Sequence, residues 1–292
     1  MNYSFRELEC FAAVATELSF TRAAEKLRLA QPPLSRHIRD LEAKLGARLF
    51  ERTGRKVTLT AAGSLFFDET RNVLPQLTRA ADVVRRFSSG EATRLRIGFV
   101  SAVLSPELVQ VLHRFRASHP SVQLMMQDSP PAEQLEALGR GALDGGFVGL
   151  APRVPTPGIQ YLRWRKEPLA AFVPFDHRLA RCRHIPLREL AKEPFIAVSS
   201  EAAPAFDLFV RDLCLKAGFR PRVVMESTRA QAVAVMVAAG AGVACLPRSL
   251  ARVVGKAAAV LPLEENPEIP HVFARAAGRP SAVMRDFLRA LE

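Results

Sequence analysis

QPPLSRHIRDLEAKL, residues 31–45, carries two patterns at once. Leu34, Ile38, Leu41 and Leu45 recur at steps of four, three and four, which aligns them along one side of an α-helix and demands a buried partner. Gln31, Pro32, Ser35, Arg36 and Arg39 fall on other sides of the same cylinder, where short polar groups and guanidinium forks project outward. Pro32 and Pro33 fit only the first turn, because the N–H they lack has no intrahelical acceptor there. The helix therefore starts close to Gln31, and its first turn is the presented end. Such a face suits a DNA groove, since arginine reads guanine through a bidentate fork and glutamine suits adenine. The alternatives are solvated helix residues for Arg36 and Arg39, a phosphate contact for Gln31, and a sideways or inward place for His37.

Upstream, Phe5, Leu8, Phe11, Ala12 and Ala15 repeat at helical spacing, predicting a first helix that ends near Glu17. Ser19 or Thr21 caps a short second helix over roughly 20–27, whose Ala23 and Ala24 let another helix cross closely. A turn over 28–30 leads into the helix at 31–45, so the pair reads as a helix-turn-helix whose second member enters the major groove.

Downstream, Gly46 is a left-handed stop, and 49–52 and 56–59 pair as short strands around Thr53 and Gly54. Arg52, Arg55 and Lys56 then stand at the tip of a wing within reach of phosphates or a narrow minor groove, although a basic turn standing alone would be merely solvated. Thr60 caps a helix expected over 61–87, where Phe66, Val73, Leu77, Ala80, Val84 and Phe87 form a stripe suited to a two-helix seam. Pro75 interrupts it and should kink it. SSGEAT, 88–93, is a polar hinge, and beyond it strands and helices alternate. LRIGFV, HPSVQLMMQ, LDGGFVG, PLAAFVP, PFIAVSS, RVVMES and GVACLP read as strands of a mainly parallel sheet, with one more strand and helix in HVFARAAGRPSAVMRDFLRAL. The fold class is therefore α/β behind an N-terminal all-α winged helix-turn-helix.

With 292 residues, 49% of them hydrophobic, the chain buries a sizeable core and divides into two or three units. A net charge of +12 favours a polyanionic partner through counterion release. Cys10, Cys182, Cys214 and Cys245 are far apart, without CxxC or zinc-finger spacing, and read as reduced, mostly buried thiols of a cytoplasmic protein. The sequence implies no metal and no cofactor. MNYSFRELECF lacks the features of a signal or transit peptide, and the apolar run at 232–246 is too short and too glycine-broken for a bilayer, so no membrane role is expected. No phosphate loop, GxSxG elbow or HExxH appears, and GAGVAC lacks the glycine spacing of a dinucleotide fingerprint, so no enzyme is expected.

AAEKLRLAQPPLSRHIRDLEAKLGARLFERTGRKVTLTAAG resembles the N-terminal signature of LysR-type transcriptional regulators, combining Ala-Ala, Gln-Pro, Ser-Arg, Leu-Glu, Leu-Gly and Thr-x-Ala-Gly at fixed offsets. DHRLARCRHIPLRELAKEPFI and MVAAGAGVACLP are similar to that family's later phrases, so the resemblance covers essentially the whole chain. It implies a winged helix-turn-helix, a dimerising linker helix and a two-lobed domain, similar to periplasmic binding proteins, that senses a small molecule. On matching positions Gln31, Pro32, Ser35 and Arg36 are the family's contact residues, and Arg52 and Arg55 lie on its wing. The implied partners are promoter DNA, a small-molecule effector and further copies of the chain in a homodimer or homotetramer, with RNA polymerase open as another.

The expected organisation is 1–59 for DNA binding, 60–87 for the linker, 88–93 for the hinge and 94–292 for the effector. Within the last, one lobe takes about 94–161 and 268–292, and the other about 162–267. Phe66, Val73, Leu77 and Val84 are the dimerisation candidates. Strand ends and helix starts offer N–H groups and hydroxyls for an anionic effector. Ser101, Ala102, Ser129 and Phe147 occupy such places in the first lobe, and Ser199, Ser200 and Thr228 in the second. Each serine alone is more often a helix cap. The paucity of acids near these candidates, and arginines such as Arg229, suit a carboxylate. The competing functions are a ligand-independent or redox-controlled regulator, and a solute-binding module that leaves residues 1–60 without a use.

Overall fold

The computed structural model describes residues 3–53, 56–70, 73, 77, 81 and 94–292. It divides into two units, Met1–Ser89 and Gly90–Glu292.

In the first unit, helices α1 (Phe5–Glu17), α2 (Phe20–Lys26) and α3 (Gln31–Leu45) are followed by a hairpin of β1 (Phe50–Thr53) and β2 (Lys56–Leu59), and by helix α4 (Ala61–Thr70). The ends are set locally. Ser4 and Glu7 form a reciprocal capping box on α1, Ser19 accepts from the Arg22 N–H on α2, and Gly46 ends α3 in the left-handed region at φ 67°. Leu34, Ile38 and Leu41 are fully buried against Phe11, Val14 and Ala23, while Leu45 is only half-buried. Each of the three is worth about 1.5–3 kcal/mol in burial, which outweighs the missing side-chain cap at Ala30. The first wing strand begins one residue later than the sequence predicts, because Leu49 turns inward as core.

Gly63 explains why α4 approaches the wing so closely. A Cβ there would stand 2.0 Å from the Leu49 carbonyl oxygen, so only glycine admits the contact. Phe66 turns into the same core, 5.0 Å from Phe11, instead of standing free on the seam expected of it. Val73 and Leu77 continue in helical conformation with exposed side chains. Arg55, Pro75, Ala80, Val84, Phe87 and the hinge at 88–93 lie outside the described residues.

The second unit holds β3 (Arg94–Phe99), α5 (Pro106–Ser118), β4 (Gln123–Asp128), α6 (Pro131–Gly139), β5 (Gly145–Gly149) and β6 (Ile159–Pro174). There follow β7 (Pro194–Val198), α7 (Pro204–Lys216), β8 (Arg222–Ser227), α8 (Ala230–Ala238), β9 (Ala244–Pro247), α9 (Ala251–Val254), β10 (Ala258–Pro262), β11 (Glu268–Ala276) and α10 (Ala282–Leu291). The expectation of a mainly parallel sheet is corrected. β3 pairs in parallel with β4 and β5, and β7 with β8, but β6 and β11 run antiparallel to their neighbours.

The reason is β6, which is twice the length read from PLAAFVP. Its first half, IQYLRWRK, is too charged to read as buried strand, yet it pairs with β11 from Ile159↔Ala276 to Pro168↔Glu268. Its second half lies between β9 and β10, the latter also missed in the sequence. The lobe boundary expected at 161/162 thus falls inside one continuous strand. Phe147, Phe273, Phe287 and Phe115 pack on the first half's side, and Leu169, Ala171, Val173 and Ile185 belong to a separate cluster on the second.

Candidate functional site

On α3 the buried stripe leaves Gln31, Pro32, Arg36 and Arg39 exposed and Ser35 half-buried. His37 is half-buried, consistent with a sideways place. Arg36 lies 4.0 Å from Asp40, one turn on, and 79% of its side chain is accessible, so the guanidinium is held weakly. The helix itself is held firmly. Lys44 Nζ donates to Glu7 Oε1 at 2.6 Å, and Glu42 Oε1 accepts from the N–H groups of Leu49 (2.7 Å) and Phe50 (3.2 Å), tying α3 to α1 and to the wing. Burial pushes the Glu7 carboxyl up, but Lys44 and the Ser4 N–H outweigh it and hold it below its ordinary value. Arg52 sits in β1. A rigid helix thus presents a polar end beside a basic hairpin.

In the second unit the carboxyl ends of β3, β4 and β5 face the starts of α6, α7 and α8 across one cavity. The space between its walls, open solvent at its mouth included, is about 820 Å³. Its lining is chiefly apolar, from residues such as Leu135, Val148, Val198, Phe206 and Ile269. Of the seven effector candidates it brings together Ser101, Ala102 and Thr228. The other four do not line it. Phe147 is fully buried with its ring 4.7 Å from Trp164 and 4.9 Å from Phe273, and only its neighbours Val148 and Gly149 reach the wall. Ser129 is buried with no partner for its Oγ among the described residues, Ser199 Oγ accepts from the Glu201 N–H at 3.3 Å, and Ser200 is exposed.

Asp128, Gln231 and His271 line the cavity and were not read from the sequence. Asp128 corrects the expectation of few nearby acids. Its carboxylate accepts from Arg229 at 2.8 Å and from Ser101 Oγ at 3.2 Å. At the cavity floor His271 Nε2 lies 2.8 Å from Glu167 Oε2, and both residues are buried. Glu167 also accepts from Arg165 at 3.3 Å and from the Ser249 N–H at 2.6 Å. Burial pushes its carboxyl up, but the bonds from His271 and Ser249 more than offset this and hold it below its ordinary value. The available signal was polarity inside otherwise apolar strands, in KEPLAAFV and HVFA.

A reading helix with its wing, and an apolar cavity with a few convergent polar groups, are the two features that comparison with known proteins explains. Residues 5–64 match the bacterial regulatory helix-turn-helix protein, lysR family, and residues 88–292 match the LysR substrate binding domain. The chain belongs to the LysR family. It is a DNA-binding transcriptional regulator with an effector-binding domain, in a family that is not enzymatic.

Among relatives of this LysR-family chain, the Escherichia coli K12 regulator YnfL is 38% identical over 255 residues, 87% of this chain and 85% of its own length. BenM of Acinetobacter baylyi is 34% identical over 246 residues, 84% and 80% of the two chains. The crystal structure of full-length BenM superposes with a TM-score of 0.59 at 28% identity, covering 99% of this chain and 95% of that one. Full-length CbnR complexed with its target DNA gives 0.57 at 26% identity, covering 99% and 98%. The BenM effector-binding domain with its effector benzoate gives 0.59 at 25% identity over 68% of this chain and 90% of that one. Among the described residues, no helix is long and apolar enough to cross a membrane.

Proposed function

We propose that this regulator binds promoter DNA sequence-specifically through Gln31, Pro32, Ser35, Arg36 and Arg39, with Arg52 and Arg55 of the wing on the backbone or minor groove. The observation that carries the reading is the split of α3 into a buried side and an exposed polar first turn, since base edges are read by groups standing clear of a rigid helix. The solved CbnR complex with target DNA supports it by likeness of the whole chain. In a further part of the proposal, the linker helix over 60–87 associates with a second copy through Val73, Leu77 and Val84. Exposed Val73 and Leu77, four residues apart, support this, whereas Phe66 packs into the unit's own core.

The effector is a small anion held in the cavity between the two lobes, about 94–161 with 268–292 and about 162–267. Arg229, Thr228 and the α8 start beside them favour negative charge there, and the benzoate bound by BenM is of this class. RNA polymerase is the remaining partner of such a regulator.

Duplexes selected from a random pool, then footprinted with and without small carboxylates, test the whole reading. The expected footprint is long and bipartite and changes with a carboxylate. Arg36→Ala should weaken binding by roughly 1–3 kcal/mol while leaving oligomeric state and carboxylate affinity intact. Undiminished DNA binding by Arg36→Ala would remove that residue from the reading surface.

A further inference from the structure

His271 is 2% exposed, lines the effector cavity and belongs to a charge cluster that DNA binding does not use. One ring nitrogen, Nε2, lies 2.8 Å from the Glu167 carboxylate, and the other, Nδ1, has no partner among the described residues. A buried polar nitrogen left unpaired is costly, so a ligand group that reaches and satisfies it recovers that cost.

The surroundings decide what Nδ1 offers. A carboxylate can only accept, so the proton of the imidazole sits on Nε2. From β6, which packs against β11, Arg165 faces the same carboxylate at 3.3 Å and anchors to the Ala102 carbonyl oxygen at 3.0 Å. From the short helical turn Arg248–Leu250, Ser249 brings its N–H to the carboxylate and its hydroxyl to the Ala102 oxygen. The charged groups lining the cavity, Asp128 and Arg229, neutralise one another at 2.8 Å. With the Nε2 proton directed at Glu167, Nδ1 is the ring nitrogen left without a partner among the described residues.

We propose that His271 selects the effector by accepting a hydrogen bond at Nδ1 from a hydroxyl or N–H group carried on its apolar body. The site thus takes a bifunctional molecule, anionic at one end and a hydrogen-bond donor at the other. A simple carboxylate satisfies the first requirement and leaves Nδ1 bare. This rests on the reading of the cavity as an anion site.

The test uses the full chain labelled with nitrogen-15 in histidine, titrated with benzoate and the three monohydroxybenzoates. His271 resonances are assigned by their loss in His271→Leu. Before ligand is added, the Nε2–H tautomer is expected, and loss of the same resonances in His271→Gln keeps the assignment if the leucine variant misfolds. At least one hydroxybenzoate should bind about tenfold more tightly than benzoate and shift the Nδ1 resonance, the worth of one buried hydrogen bond. His271→Gln, which donates to Glu167 through its amide N–H and accepts through its carbonyl, should retain that preference, whereas His271→Leu should lose it and still bind benzoate. An Nδ1–H tautomer, or hydroxyl isomers bound no better than benzoate, overturns the assignment of His271 alone. Failure of every probe to bind at millimolar concentration overturns the anion-site reading instead.

Discussion

Arg229 Nη1 stands 2.8 Å from Asp128 Oδ1, so the start of α8 is tied to the end of β4 by an ion pair that lines the apolar cavity of the second unit. Both side chains remain more than a third accessible, 38% and 44%, so the pair adds little to stability. Its consequence is for binding, because the arginine nearest an incoming anion already has a carboxylate beside it.

Asp128→Asn should therefore tighten binding of simple carboxylates such as benzoate by up to about fivefold, with a change in stability below about 1 kcal/mol. Calorimetric titration at low and high salt reads both effects, and the gain should shrink as salt screens Arg229. Weaker binding would show that Asp128 orders the arginine more than it neutralises it.

Gly63→Ala should destabilise the first unit by about 1–3 kcal/mol or more, because the new methyl meets the Leu49 carbonyl and neither α4 nor the wing yields cheaply. Thermal unfolding measures the loss. A melt equal to that of the unaltered chain would mean that α4 does not sit against residue 49.

The thiols divide sharply by burial. Cys182 is exposed, while Cys10, Cys214 and Cys245 are buried. Burial pushes the Cys214 thiol up to about 12, and raises Cys10 and Cys245 as well. A thiol reagent on the native chain should modify Cys182 alone and reach the other three of the four only on unfolding. Rapid native modification of Cys214 would reopen redox control as a function.

Glu7 supplies a pH dependence with a definite sign. Its carboxyl titrates below the ordinary 4.5 in the fold, so its contribution is fully present above that value and is lost as pH falls through the lower, folded value. Amide protection in α1, taken relative to the intrinsic exchange rate at each pH, should fall in acid more steeply for the unaltered chain than for Glu7→Gln. Parallel profiles would show that the Lys44 contact at 2.6 Å carries no net stabilisation.

The first unit was legible in the sequence because its information is local. A 3.6-residue stripe at Leu34, Ile38 and Leu41, a cap at Ser19, and a left-handed stop at Gly46 each act within a few residues of themselves. The α/β character of the second unit was legible for the same reason, as were Ser101, Ala102 and Thr228 at the ends of their elements.

What needed tertiary structure is whatever depends on residues far apart in the chain. Ile159–Pro174 reads as a charged segment followed by an apolar one, and only pairing with β11, β9 and β10 makes it a single strand and reverses the expected parallel order. The same holds for the cavity floor. Glu167 and His271 are 104 positions apart, and each alone is an oddity in an apolar strand. Sequence periodicity records which side of an element is buried, and that settled the face of α3. It does not record which buried polar group will meet which other, because that is decided by register across strands, and there the fold assembled the floor of the cavity.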